Sequence, residues 1–169
     1  MQLTAGHLVA GAEQTGLNFL KGMVASGMRF NVMVGRDAQR LGSLAPKEIV
    51  DRLRARTTTT NHPPAPVAAM LGEAVVHGED IRRPLGLSAK VANDATVACL
   101  DLFKGANFPV GAKKRIAGLR LVASDAPWSH GAGPEVTGPA LSLVMVMTGR
   151  SAGLDGLTGD GVAVLRSRL

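Results

Sequence analysis

The run Thr57-Thr58-Thr59-Thr60, followed by Asn61-His62-Pro63-Pro64-Ala65-Pro66, cannot be helical. β-Branched side chains lose freedom against a preceding helical turn, and prolines lack the N–H and clash with the turn before them. The helix upstream must therefore end near Arg56. The next can open only at Pro66 or Val67, because proline is tolerated in a first turn. That next helix reads VAAMLGEAVVHGEDIRR and stops at Pro84-Leu85-Gly86.

Upstream of the breaker, Leu3, His7, Leu8, Ala10, Gly11, Leu17 and Leu20 follow a helical rhythm, predicting a helix from about Gln2 to about Ala25. Gly6, Gly11, Gly16 and Gly22 weaken it without sharing one stripe. Ser26-Gly27 breaks the pattern, Arg29–Leu41 resumes it, and Pro46 with Glu48 marks a further helix start. Downstream, a helix is expected from about Lys90 to Lys104, carrying Val91, Val97, Leu100 and Phe103. The pattern then changes. Short strands are expected near Gly118–Ser124 and Glu135–Gly138, separated by the turn-rich run Asp125–Pro134. Helices follow at Pro139–Thr148 and about Thr158–Arg168. The reading is a mainly α chain divided near residue 107: a helical region over 1–107 and a small α+β region over 108–169, expected to pack on the first.

Aromatic residues make up only 3% of the chain, so its core must be aliphatic, and a stacking platform for nucleic acid is not expected. The net charge of +6 is scattered, with Lys113-Lys114-Arg115 as the densest cluster, and reads as a solvated basic surface. Cys99 is the single cysteine, which excludes an internal disulfide framework and a Cys-rich metal site. It lies between Ala98 and Leu100 and reads as an inert core thiol. No apolar run approaches the ~18 residues of a membrane span, and the first residues lack the features of a secretory signal. A cytoplasmic protein with neither nucleic acid nor membrane as partner is the expectation.

Chemistry concentrates at Glu73-Ala74-Val75-Val76-His77. A carboxylate and an imidazole four apart on one helix share a face, with Cβ atoms about 6 Å apart, a separation suited to chelating one metal ion. Pro66, Met70 and Ile81 share that face, which predicts that it turns inward. Alternatively, the two side chains simply hydrogen-bond to each other or lie on the surface. The His-Glu-x-x-His signature of zinc proteases is absent. A catalytic zinc site needs a third protein ligand and an open position. Of the remaining histidines, His62 sits in the Thr/Pro loop and His130 in a turn after Trp128. His7 lies in a stripe with Leu3, Ala10 and Gln14, as a hydrogen-bonded core residue or a ligand. Asp80 is read first as a partner of Arg82 or Arg83 at the helix end, and second as a group orienting a ligand.

The helix around His7, the Pro-rich loop and the block Leu71-Gly72-Glu73-Ala74-Val75-Val76-His77-Gly78-Glu79-Asp80-Ile81-Arg82-Arg83-Pro84-Leu85-Gly86 resemble the mycothiol-dependent maleylpyruvate isomerase family of the DinB-like superfamily. Trp128–Ala140 and Thr148-Gly149-Arg150 resemble its C-terminal region. The resemblance implies a DinB-like helix bundle with a divalent metal, typically zinc, at one end. Its ligand positions fall on His7, Glu73 and His77. It implies mycothiol as the thiol cosubstrate and a small electrophilic substrate, in an isomerase or S-transferase. The alternative is a non-catalytic binding or structural protein of the same fold. It assigns no catalytic or cofactor-contacting side chain here. Against the family pattern, the bundle lacks its first helix: either the start at Met1 is wrongly assigned or shortened, or a second copy fills the gap as a homo-oligomer, and in either case an uncovered apolar face is expected, which invites association or instability. The compact tail has no counterpart to the isomerase's larger substrate region, so that enzyme's substrate is not implied.

Overall fold

The computed structural model describes residues 1–88 and 90–169 of the 169-residue chain. It is mainly helical, with one small three-stranded sheet. Two compact units divide it, Met1–Ser88 and Ala89–Leu169. The division precedes the change of pattern near residue 107. The helix expected to close the first region instead buries Thr96, Cys99, Leu100 and Phe103 within the second unit, where it packs on the helix Ala140–Met147.

The first unit holds α1 (Gln2–Glu13), α2 (Gly16–Ala25), α3 (Phe30–Gly42), α4 (Pro46–Ala55) and α5 (Val67–Arg82). One long helix was expected over Gln2–Ala25, and the chain breaks it at Gln14-Thr15. Gln14 turns extended at ψ 133°, and the Thr15 hydroxyl accepts the Asn18 N–H at 3.2 Å, capping a new helix. With weak glycine-bearing propensity on both sides, that cap is enough to favour the break. α4 and α5 open at Pro46 and Val67, as proline chemistry dictates. A 3-10 turn, Arg83–Leu85, ends α5, closed by Gly86 at φ +65°.

α1 and α3 cross at backbone contact. A Cβ at Gly6 would lie 2.7 Å from the Ala38 carbonyl oxygen, and one at Gly42 would lie 3.0 Å from that of Gln2. This approach brings Val9 and Leu41 together with Ile49 of α4, and Ala5, Ala10, Leu44 and Leu53 complete the cluster. The core is aliphatic, as the scarcity of aromatics requires, and it is thin. α2 buries none of its residues: Leu17, Leu20 and Val24 are exposed. An uncovered apolar face is therefore present in this unit.

The second unit holds α6 (Asn93–Phe103), α7 (Ala112–Arg115), β1 (Arg120–Ala123), β2 (Ser129–His130), β3 (Glu135–Gly138), α8 (Ala140–Met147) and α9 (Val162–Arg166). β1 is central. It pairs antiparallel with β2 (Leu121 opposite His130) and parallel with β3 (Leu121 opposite Val136). The two strands expected from sequence are present. β2 lies inside the run read as turns, because two residues are too few to show alternation. α8 is buried from Ser142 to Met147, where it packs on α6, β1 and the 3-10 turn Ser151–Gly156. The Asp125 carboxylate accepts the Ala140 N–H at 2.8 Å at its start. Among the described residues no helix is long and apolar enough to cross a membrane.

Gly6→Ala should destabilise the first unit by about 1–3 kcal/mol through overpacking, despite alanine's better helix propensity. Gly11→Ala, on the same helix but facing open space, should stabilise it by about 0.5–1 kcal/mol. Urea unfolding of both variants measures the two signs.

Candidate metal centre

α5 carries Glu73 and His77 one turn apart, and the crossing of α1 over α3 sets His7, next to Gly6, against them. His7 Nε2 lies 2.8 Å from Glu73 Oε2, and His77 Nε2 lies 3.1 Å from the same oxygen. The two imidazole rings meet edge to face at 4.9 Å. One ligand atom from each of the three residues falls within 4.8 Å of the others. The set anticipated from sequence is thus brought together within one unit.

The inward-facing expectation needs correction. Gly72, Val75, Val76 and Glu79 form the buried line of α5, so Glu73 and His77 stand beside it. The Glu73 side chain keeps 40% of its exposure and that of His77 18%. A ligand set at a rim is reachable, whereas one inside the core would not be.

The ranking of roles for Asp80 also changes. Its carboxylate accepts a hydrogen bond from His77 Nδ1 at 2.8 Å. The arginines go to the neighbouring carboxylate: Glu79, itself buried, accepts from Arg82 Nη2 at 2.8 Å and from Arg83 Nε at 2.9 Å. Helical spacing explains the difference. Glu79 stands three and four residues before the arginines, and Asp80 three after His77. Glu79 was not singled out from sequence, though its i, i+3 and i, i+4 cations were the available signal.

Burial alone would raise the Glu73 pKa. The hydrogen bonds from His7 and His77, and their charge, outweigh it and hold the carboxyl at about 2. Glu73 is therefore an anion at neutral pH. A neutral imidazole carries a single N–H. With the His77 Nδ1 proton directed at Asp80, a neutral His77 turns a lone pair from Nε2 toward a carboxylate oxygen 3.1 Å away. Two acceptors at that distance need a positive charge between or upon them, supplied by a second proton on His77 or by a metal ion. Two imidazole nitrogens and one carboxylate oxygen are a donor set suited to zinc, with room for a further ligand. The residues present fit the group.

Among the described residues, neither of the other two histidines belongs to the three-residue group. His62 is exposed, with Nδ1 2.7 Å from the Pro63 carbonyl oxygen, and His130 lies in β2 of the second unit. Cys99 is fully buried, and desolvation pushes its thiol up to about 11.

Glu73→Ala should lose most of one bound divalent metal per chain, while His62→Ala keeps it, as read by elemental analysis after purification. Asp80→Asn should weaken binding by about 10–100-fold in a chelator competition, since it frees the His77 ring. Cys99 should remain unreactive toward a disulfide reagent at about pH 8 until the protein is denatured; rapid labelling of the folded chain would contradict its burial.

No protein-family model, no curated protein and no solved structure matches the chain, so its chemistry has to be argued from these residues.

Proposed function

We propose that the first unit binds one divalent metal ion, zinc by its donor set, through His7, Glu73 and His77, and that the chain acts on a small electrophile with an exogenous thiol. The observation that carries the metal is the shared Glu73 oxygen, approached by two imidazoles of which one already directs its Nδ1 proton to Asp80. The thiol comes from the resemblance of the Leu71–Gly86 block to the mycothiol-dependent family, which makes mycothiol the cosubstrate and S-transfer or isomerisation the reaction. The cytoplasm, where low-molecular-weight thiols stay reduced, suits that chemistry.

A free thiol has a pKa of about 8.5 and is mostly protonated at neutral pH; a bound zinc ion favours its deprotonated form. The protein's side chains do the rest. Glu73, ionised at neutral pH, offsets the charge of a divalent cation. Asp80 fixes the His77 ring so that Nε2 faces inward. His7 supplies the ligand from a second helix, which ties the site's shape to the α1–α3 crossing. Cys99, buried and held protonated, does not compete as nucleophile.

The test is spectroscopic. Mycothiol added to the cobalt-substituted protein should produce a sulfur-to-cobalt charge-transfer band well below pH ~8.5, absent from His77→Ala. A flat spectrum at saturating mycothiol would remove the thiol from the metal. It would leave a metal-binding DinB-like protein without this catalysis as the better reading.

A further inference from the structure

α2 is apolar on two opposite sides. Toward α3, the Phe19 ring meets that of Phe30 at 6.5 Å, and a Cβ at Gly22 would lie 2.9 Å from the Met33 sulfur. On the far side Leu17, Leu20 and Val24, spaced i, i+3 and i+7, form one stripe, each of them more than half exposed. Met28, in the turn that follows, is 65% exposed and holds φ +60°, a left-handed backbone that residues with a Cβ rarely adopt. A helix that is apolar all round is ordinarily covered all round, yet the outer stripe of α2 is left bare.

The charges beside that stripe have one sign. From Gln14 to Arg36 the chain carries Lys21, Arg29 and Arg36 and no Asp or Glu. Lys21 stands four residues after Leu17, on the edge of the stripe, and Arg29 follows Met28 directly. Arg36 reaches the end of α2, where it donates to the Ala25 carbonyl at 3.5 Å. Among the described residues none of the three forms an ion pair. The carboxylates that bound the segment are engaged by other arginines: Glu13 by Arg52 and Asp37 by Arg40, both at 3.4 Å. The bare stripe is thus edged by cations that the chain leaves uncompensated.

We infer that α2 lies on an anionic phospholipid surface: Leu17, Leu20, Val24 and Met28 enter the boundary between headgroups and acyl chains, and Lys21, Arg29 and Arg36 sit among the lipid phosphates. Lying on a bilayer needs no spanning helix, and none is present among the described residues. A second copy on the same face is disfavoured, because two-fold docking of α2 on α2 would set these cations against their own copies with no carboxylate between them. A different protein partner is disfavoured by shape. The surface is a ridge of four apolar side chains, carried by a helix that buries none of its residues, whereas a standard interface takes roughly 20–30 residues a side. A fluid lipid surface accepts such a ridge without a matching groove. None of these residues belongs to the metal centre, so the inference stands apart from the function proposed above.

Co-sedimentation of the 169-residue chain with lipid vesicles is the test. The protein should bind vesicles of phosphatidylglycerol and phosphatidylcholine in equal parts but not vesicles of phosphatidylcholine alone, and high salt should release it. Lys21→Gln should weaken binding about fivefold and Leu20→Gln about tenfold. Val67→Gln, at an apolar side chain of α5 that is 69% exposed, should leave binding unchanged. Arg29→Gln and Leu17→Gln repeat the charge test and the apolar test should either first variant fail to fold. Equal binding to both kinds of vesicle, binding to neither, or binding that survives Lys21→Gln and Leu20→Gln undiminished would overturn the inference. So would a dimer, seen by sedimentation velocity without lipid, that Leu20→Gln dissociates, since the face would then belong to a second copy.

Discussion

The first unit depends on how near α1 comes to α3. Two glycines, Gly6 and Gly42, let the helices meet at backbone distance, and a methyl group at Gly6 would meet α3 backbone rather than a movable side chain. The gain is dispersion contact along a crossing that side chains would otherwise hold apart. The cost is weak intrinsic helix propensity in α1, which contributes to the break at Thr15. The buried cluster of Val9, Leu41 and Ile49 is small, so little else fixes α1. His7 follows Gly6 directly, so the same approach that makes the core determines where the third donor stands.

Given that placement, the electrostatics follow from one oxygen. Glu73 Oε2 is close to both imidazoles, and the opposing effects of burial and partner charge resolve in favour of the anion. Asp80 prevents the simplest relief, a flip of the His77 tautomer, by holding Nδ1. The arrangement has a partial surplus of acceptors pointing at one spot. Such a spot is uncomfortable when empty and well matched to a cation, whether a proton or a metal ion.

Much of this was legible in the chain, and the exceptions have physical causes. The Thr57–Pro66 breaker, the start at Pro46 and the end of α5 before Gly86 follow from local backbone chemistry, which neighbours cannot override. Glu73 and His77 were readable because helical spacing is rigid. The break at Gln14-Thr15 was not, because a threonine cap and a mid-helix threonine look alike until the chain turns. β2 was not, because its two residues are recruited by β1 rather than by their own pattern. The half-exposed setting of Glu73 depends on which face α1 covers, a tertiary fact that apolar neighbours on α5 misreport.

The adjacent carboxylates Glu79 and Asp80 show how one helix keeps structural and site charges separate. Asp80 serves as the acceptor for the His77 ring. Glu79 accepts from both Arg82 and Arg83, one on each of its two oxygens. Burying a carboxylate is costly unless it is paired and hydrogen-bonded, and two guanidiniums meet that condition fully. Glu79 can therefore lie in the buried line of α5, while Asp80, one residue on, turns to the rim. The 100° rotation between neighbouring helical residues separates two carboxylates that are equivalent in sequence, so that Glu79 accepts from the arginines and Asp80 from His77.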